Sequence, residues 1–231
     1  MATPPTIVFD LDGTLVDTAE DLVTTLNAIL AAEGMAPMSM NSAIAMVGSG
    51  SRVLIESAFA SEGRALAPET LDRLLADFLA FYDAHIADAS KPYPGVETAL
   101  DRLTADGWVM AVCTNKFEAP ARKLLRILGL DRYFAAITGQ DTFPFRKPDA
   151  RHLTETIRLA GGDAGRAIMV GDSRTDIDTA NAARIPVIAV TFGYSPIPVT
   201  QLGATRVIAD FAELHDAAAA LAVSTGSSGS P

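Results

Sequence analysis

The stretch Ile7-Val8-Phe9-Asp10-Leu11-Asp12-Gly13-Thr14-Leu15 places two carboxylates at the end of an apolar run that then turns sharply. The run predicts a buried strand from Thr6 to Phe9. Residues i and i+2 of a strand share a face, so Asp10 and Asp12 are expected to project together where a parallel strand delivers them to a cleft. A pair of this kind has obvious chemistry: one carboxylate can attack while the other handles a proton.

Similar β-rich runs recur after helical stretches, at Trp108 to Cys113, Ala135 to Thr138, Ala167 to Val170, Val187 to Val190 and Arg206 to Ala209. Strands alternating with amphipathic helices predict an α/β fold, with a Rossmann-like parallel sheet buried on both faces and functional loops at the strand C-termini. The alternation breaks between Asp17 and Ser90, which read as helices alone. Asp17 or Thr18 can cap a helix running to Gly34, Ser39 a second, a third follows Gly50, and Pro68 suits the first turn of a fourth. The expected division is an α/β core of residues 1–16 and 91–223, an inserted helical cap of residues 17–90, and a flexible, Ser- and Gly-rich tail of residues 224–231. The return through Lys91-Pro92-Tyr93-Pro94-Gly95 is stiffened by two prolines, so the helical unit can act as a hinged lid.

The 231 residues are 49% hydrophobic and carry a formal net charge of -10, enough apolar material for a large core and the wrong sign for nucleic-acid or anionic-membrane binding. Any phosphate site must therefore be locally positive. The one cysteine, Cys113, lies in an apolar run and is expected to be strand core in a reducing, cytoplasmic compartment. Met1 to Pro5 run directly into the first strand, leaving no room for a signal stretch, and no segment is long enough to span a membrane. The expected oligomeric state is a monomer or homodimer.

Three later stations offer what a carboxylate nucleophile needs. Thr114-Asn115-Lys116 follow the second strand, where a hydroxyl and loop amides can hold a phosphoryl oxygen. Lys147, in Phe145-Arg146-Lys147-Pro148-Asp149, can offset the repulsion between an attacking carboxylate and an incoming phosphate, while Arg146 reads as a surface or supporting charge. In Ile168-Met169-Val170-Gly171-Asp172-Ser173-Arg174-Thr175-Asp176, Gly171 allows close approach, Asp172 emerges where a hard cation can sit, and Asp176 can face it with Ser173 in support. Converging acids raise one another's pKa unless a cation neutralises them, and oxygen-only ligands select Mg²⁺ over zinc. His85, His152 and His215 have no metal-ligand spacing and read as surface or packing residues; Glu20 and Asp21 read as a solvated helix face.

The order and spacing of these motifs resemble the phosphatases of the haloacid dehalogenase superfamily. The resemblance implies that Asp10 is the nucleophile, that Asp12 is the general acid and base, and that Thr114 and Lys147 stabilise the phosphoryl group. It also implies a small phosphorylated metabolite as partner and a Mg²⁺ site made by Asp10, the main-chain carbonyl of Asp12, and Asp172. Related phosphatases often carry a second proline where this chain has Ala150. Within the superfamily, the glycine-rich turn Met46-Val47-Gly48-Ser49-Gly50-Ser51-Arg52, with Thr114-Asn115-Lys116 and Thr191-Phe192-Gly193-Tyr194, resembles the phosphoglycolate phosphatases. Arg52 is then expected to grip a substrate carboxylate, with Gly13, Asn115 and Lys116 as further substrate contacts. A phosphatase of another small metabolite or a hexose-phosphate mutase would share every core residue. A true dehalogenase needs neither Asp12 nor a metal, and a non-enzymatic phosphate-binding module would not keep every reactive residue.

Overall fold

A computed structural model describes the chain from residue 4 to residue 226, with side chains through residue 222. Six parallel strands form the main sheet: β1 (Thr6–Phe9), β4 (Val109–Cys113), β5 (Ala136–Thr138), β6 (Ala167–Gly171), β7 (Val187–Val190) and β8 (Arg206–Ile208). Their spatial order is β5-β4-β1-β6-β7-β8, so the chain builds outward on one side of β1, crosses back, and builds outward on the other. The expected parallel α/β sheet is therefore present, with strand ends within a residue of the apolar runs. The reversal at β1 opens a crevice at the C-terminal ends of β1, β4 and β6, the usual ligand position in such sheets.

Period-two side chains divide the interior into two layers. Ile7, Phe9, Met110, Val112, Ile168 and Val170 share one face with the apolar sides of α5 (Val96–Ala105), α6 (Glu118–Ile127) and α9 (Leu214–Gly226). Val8, Ala111, Cys113, Ala167 and Met169 face the other way, against Leu153 and Ile157 of α7 (Ala150–Leu159) and Ile177 and Ala180 of α8 (Arg174–Ala183). With helices on both sides, β1 and β6 are buried throughout and β4 at every residue after Val109.

Four helices occupy the interval between two short strands, β2 (Val16–Asp17) and β3 (Lys91–Pro92), which pair antiparallel as a ribbon at the junction. The helices are α1 (Ala19–Ala32), α2 (Met40–Ile44), α3 (Ser51–Ser61) and α4 (Pro68–Ala84). The Ser39 side chain caps α2 by accepting from the Ser42 amide, and Pro68 opens α4 where its missing N–H leaves nothing unsatisfied. The ribbon carries no alternating apolar pattern and is invisible to periodicity.

Two expectations change here. Asp21 is buried, not solvated: its carboxylate accepts from the amides of Ala89 and Ser90 and from Ser90 Oγ, which ties α1 to the returning chain. Helix α9 runs to Gly226, into the stretch expected to be a tail, whose remaining residues 227–231 lie outside the described residues. No helix among the described residues is long and apolar enough to cross a membrane.

Candidate active site

Strand β1 stops at Phe9, so Asp10 and Asp12 meet the crevice from a tight turn and not from a regular strand. The Leu11 carbonyl accepts from the amides of Thr14, Leu15 and Val16, curling the chain, and Gly13 sits at φ 83° within that curl. The two acids consequently receive different surroundings. Asp10 is buried beside Lys147, whose Nζ lies 2.9 Å from its Oδ1. Asp12 is engaged from another direction: Lys116 Nζ donates to Oδ1 and Oδ2 at 2.9 and 3.2 Å, and Thr18 Oγ1 donates to Oδ1 at 2.8 Å.

Lys147 reaches the crevice from the loop before α7 and is almost wholly buried. It also donates to Asp176 Oδ1 at 2.6 Å. Burial alone would lower its pKa, but the Asp10 and Asp176 carboxylates outweigh that and hold the ammonium protonated. Its own backbone amide donates to His152 Nδ1 at 3.2 Å, and burial followed by the Lys147 charge brings the His152 pKa down to about 4. The imidazole is therefore a neutral acceptor that pins the lysine loop. Asp149 caps α7 through the Arg151 amide, so the helix begins at Ala150 without a second proline. Arg146 is exposed, against Gln140.

At the end of β6, Asp172 is held on both oxygens, by Thr14 Oγ1 at 3.0 Å and the Tyr194 amide at 2.7 Å. Asp176 lies one turn into α8, where its Oδ2 accepts from the amide and hydroxyl of Ser173 while Ser173 Oγ caps the helix in return. The glycines keep this corner narrow. A Cβ on Gly171 would stand 2.3 Å from Asp176 Cβ, and one on Gly193 2.2 Å from Asp172 Cβ.

Carboxylate oxygens of Asp10, Asp172 and Asp176 lie within 4.8 Å of one another, close enough to hold a metal ion. Two observations fit a cation here. Asp10 Oδ1 is buried and meets no donor besides the Lys147 ammonium, leaving a lone pair free. Burial first, and then neighbouring carboxylates, push the pKa of both Asp10 and Asp172 upward, the response of acids crowded beyond the positive charge available. The donors are all oxygen, which suits a hard divalent ion. Asp12 contributes no side-chain oxygen to this cluster.

Thr114 and Asn115 follow β4, with Asn115 Nδ2 donating to the Lys147 carbonyl at 3.2 Å and to the Gly48 carbonyl of the helical unit at 3.4 Å. A narrow cleft opens between core and helices, lined by Asp10, Asp12, Thr114 and Lys116 on one side and by Val47, Gly50 and Leu54 on the other. Arg52 does not reach it. Its guanidinium pairs with Asp72 on the outer side of α3 and α4, where both groups are exposed, so helix geometry turns it away while its neighbours Gly50 and Ser51 face the cleft.

Residues 7–190 match the model of the haloacid dehalogenase-like hydrolases. The chain belongs to this family. It is 56% identical over 207 residues to a phosphoglycolate phosphatase of Mesorhizobium japonicum, covering 90% of this chain and 91% of that one. A phosphoglycolate phosphatase of Agrobacterium fabrum is 51% identical, with 96% and 95% covered. Among solved structures, a predicted phosphoglycolate phosphatase from Haemophilus somnus superimposes with a TM-score of 0.86 at 29% identity, covering 94% of this chain and 99% of that one. The chain is thus a hydrolase of the phosphatase kind.

Several residues of this family member's site escape a sequence reading. Thr14, Thr18, His152 and Tyr194 each hold a site residue or its loop. Tyr194 does most: its amide holds Asp172, while its Oη accepts from the amides of Thr18 and Ala19 at 2.6 and 2.9 Å and donates to Asp17. It therefore supplies the oxygen that the N-terminus of α1 lacks from its own N-cap side chain. Only the Gly-Tyr turn hinted at it.

Proposed function

We propose that the protein is a Mg²⁺-dependent phosphomonoesterase that hydrolyses 2-phosphoglycolate to glycolate and phosphate. The observation that carries this reading is the separation of the two acids of the first motif, Asp10 facing Lys147 and the acid cluster, and Asp12 facing Lys116, Thr18 and the cleft. Asp10 attacks phosphorus in line, forming an aspartyl phosphate while the P–O bond to the leaving group breaks. Asp12 gives a proton to the departing alkoxide and takes one from the water that hydrolyses the aspartyl phosphate, general acid and base work typically worth ~10² to 10⁴ in rate. Lys147 and Thr114 hold the phosphoryl oxygens, and Asp176 positions Lys147.

Asp10, the main-chain carbonyl of Asp12, and Asp172 would hold Mg²⁺, which when bound neutralises the acids and the phosphoryl charge. The helical unit, residues 17–90, acts as a cap that shuts the cleft against water over a small leaving group. The relatives named for phosphoglycolate support the substrate, and the lone cysteine, Cys113, supports a cytoplasmic setting. Phosphate release from a panel of phosphorylated two-carbon, three-carbon and hexose compounds, with Mg²⁺ and with excess chelator, tests the reading. The highest kcat/KM is expected for 2-phosphoglycolate, with no turnover in chelator. A hexose phosphate as preferred substrate, or full activity in chelator, would overturn it.

A further inference from the structure

Tyr82, on α4 of the cap, is 2% exposed, and its Oη makes no hydrogen bond. A buried hydroxyl without an acceptor is rare and costly, and it singles out a place where an acceptor is missing. The hydroxyl does not stand in an apolar pocket. Lys116 Nζ lies 4.4 Å from the Tyr82 ring centroid, and the same ammonium donates to Asp12. Even if an Oη lone pair turns toward the ammonium, the phenolic proton is left with no partner. Burial pushes the Tyr82 pKa up to about 12, so the group is a donor at any working pH.

Of the residues lining the cleft, Lys116 carries the only positive charge, and the cap wall opposite is Leu22, Val47, Ser51, Leu54 and glycine backbone. A second anionic group on the substrate can find a cation in this cleft at Lys116 alone.

We propose that Lys116 Nζ and Tyr82 Oη together form the subsite for the carboxylate of the substrate, one donor from the core and one from the cap. The inference rests on the function proposed above and names the residues that choose the substrate. Its geometry follows from Asp12. A leaving oxygen protonated by Asp12 sits one hydrogen bond, about 2.7 Å, from that carboxylate. In 2-phosphoglycolate two carbons separate the ester oxygen from the carboxylate oxygens, which sets them on the order of 3 Å apart. Lys116 Nζ, 2.9 Å from Asp12 Oδ1, is placed to touch the carboxylate without leaving the acid. The carboxylate then accepts the stranded Tyr82 proton, so that substrate with this group joins cap to core and substrate without it does not.

The test compares 2-phosphoglycolate with 2-hydroxyethyl phosphate, equal in length but without the carboxylate, in the wild type and in Tyr82→Phe. The wild type should favour 2-phosphoglycolate, and the ratio of the two kcat/KM values should fall roughly tenfold in Tyr82→Phe. The phenylalanine keeps the ring over Lys116 and removes an unsatisfied hydroxyl, so the Tm of the ligand-free protein should not fall. An unchanged ratio in the variant overturns the subsite while leaving the function standing. Equal losses on both substrates with a lowered Tm also overturn it, as the mark of a merely structural tyrosine. A wild type that does not favour 2-phosphoglycolate refutes the substrate reading itself. Independently of turnover, glycolate should raise the Tm of the wild type but not of Tyr82→Phe. A wild type whose Tm glycolate does not move contradicts the subsite even in an active enzyme.

Discussion

The core and the cap meet the same cleft with opposite materials. The core brings Asp10, Asp12, Lys116 and Thr114 from strand ends, each fixed by charge or hydrogen bonds, whereas the cap brings Leu22, Val47, Leu54, glycine backbone and the uncharged Ser51. The core residues are buried, Asp12 partly so, and held by hydrogen bonds or ion pairs; the one arginine near the cap turn is spent on an exposed pair with Asp72. On the function proposed above, the contrast is a division of labour, with phosphoryl chemistry assigned to the sheet and discrimination to shape and a few donors that complete the site when the cap is shut.

The largest test of that division removes the nucleophile. Asp10→Asn keeps the shape of a group that its surroundings push toward the neutral form, so the fold should persist. Turnover of every phosphate ester, whatever its leaving group, should fall roughly 10⁴-fold or more. Steady-state rates on an alkyl and an aryl phosphate check this, and a loss confined to one of them would break the division.

The second test probes the rigidity of the core through pH. His152 titrates near 4 in the folded protein and near 6.5 unfolded, so between those values the unfolded chain binds more protons and stability falls as the pH is lowered. Across that window the loss from this group is about 3 kcal/mol. Thermal melts from pH 7 to pH 4 should show a steep decline in the wild type and a shallower one in His152→Gln. Identical slopes would remove the imidazole from the account.

Smaller effects belong to the cap. Gly50 has φ 93°, and a Cβ there would stand 2.9 Å from Gln140 Oε1 and 3.1 Å from the Asn115 carbonyl. Gly50→Ala should therefore hold the turn off the core, lower kcat/KM for 2-phosphoglycolate about tenfold and lower the Tm by a few degrees, because alanine is strained at that φ. Smallest of all, Arg52→Ala should change kcat/KM less than about twofold, because an exposed ion pair contributes ~1 kcal/mol or less and the side chain faces away from the cleft. A tenfold loss would return Arg52 to substrate binding.

What the sequence revealed follows the same line. Strand-end chemistry is local: an apolar run ending in Asp10, Thr114 or Asp172 announces both the strand and the polar residue it presents. The supporting contacts are not local. Thr18 reaches Asp12 across a turn, but Tyr194 reaches α1 from the far end of the chain, and Asp21 binds Ser90 across the whole helical insertion. No spacing rule brings such pairs together. Asp21 looked like its neighbour Glu20 because adjacent helical positions differ only in which side is covered, and that is decided by tertiary packing. Arg52 meets the same limit: its position in the turn was legible, its direction was not, and Asp72, with which it pairs, lies on another helix.

The central claim is that Asp10 carries the phosphoryl group. Rapid acid quench of the Mg²⁺-loaded enzyme turning over 2-phosphoglycolate, in the wild type and in Asp12→Asn, followed by peptide mass analysis, tests it directly. The account predicts one added phosphoryl group on the peptide containing Asp10, accumulating in Asp12→Asn because the hydrolytic water has lost its base. Phosphate release with no labelled peptide in either protein, or a label on a residue other than Asp10, would contradict it.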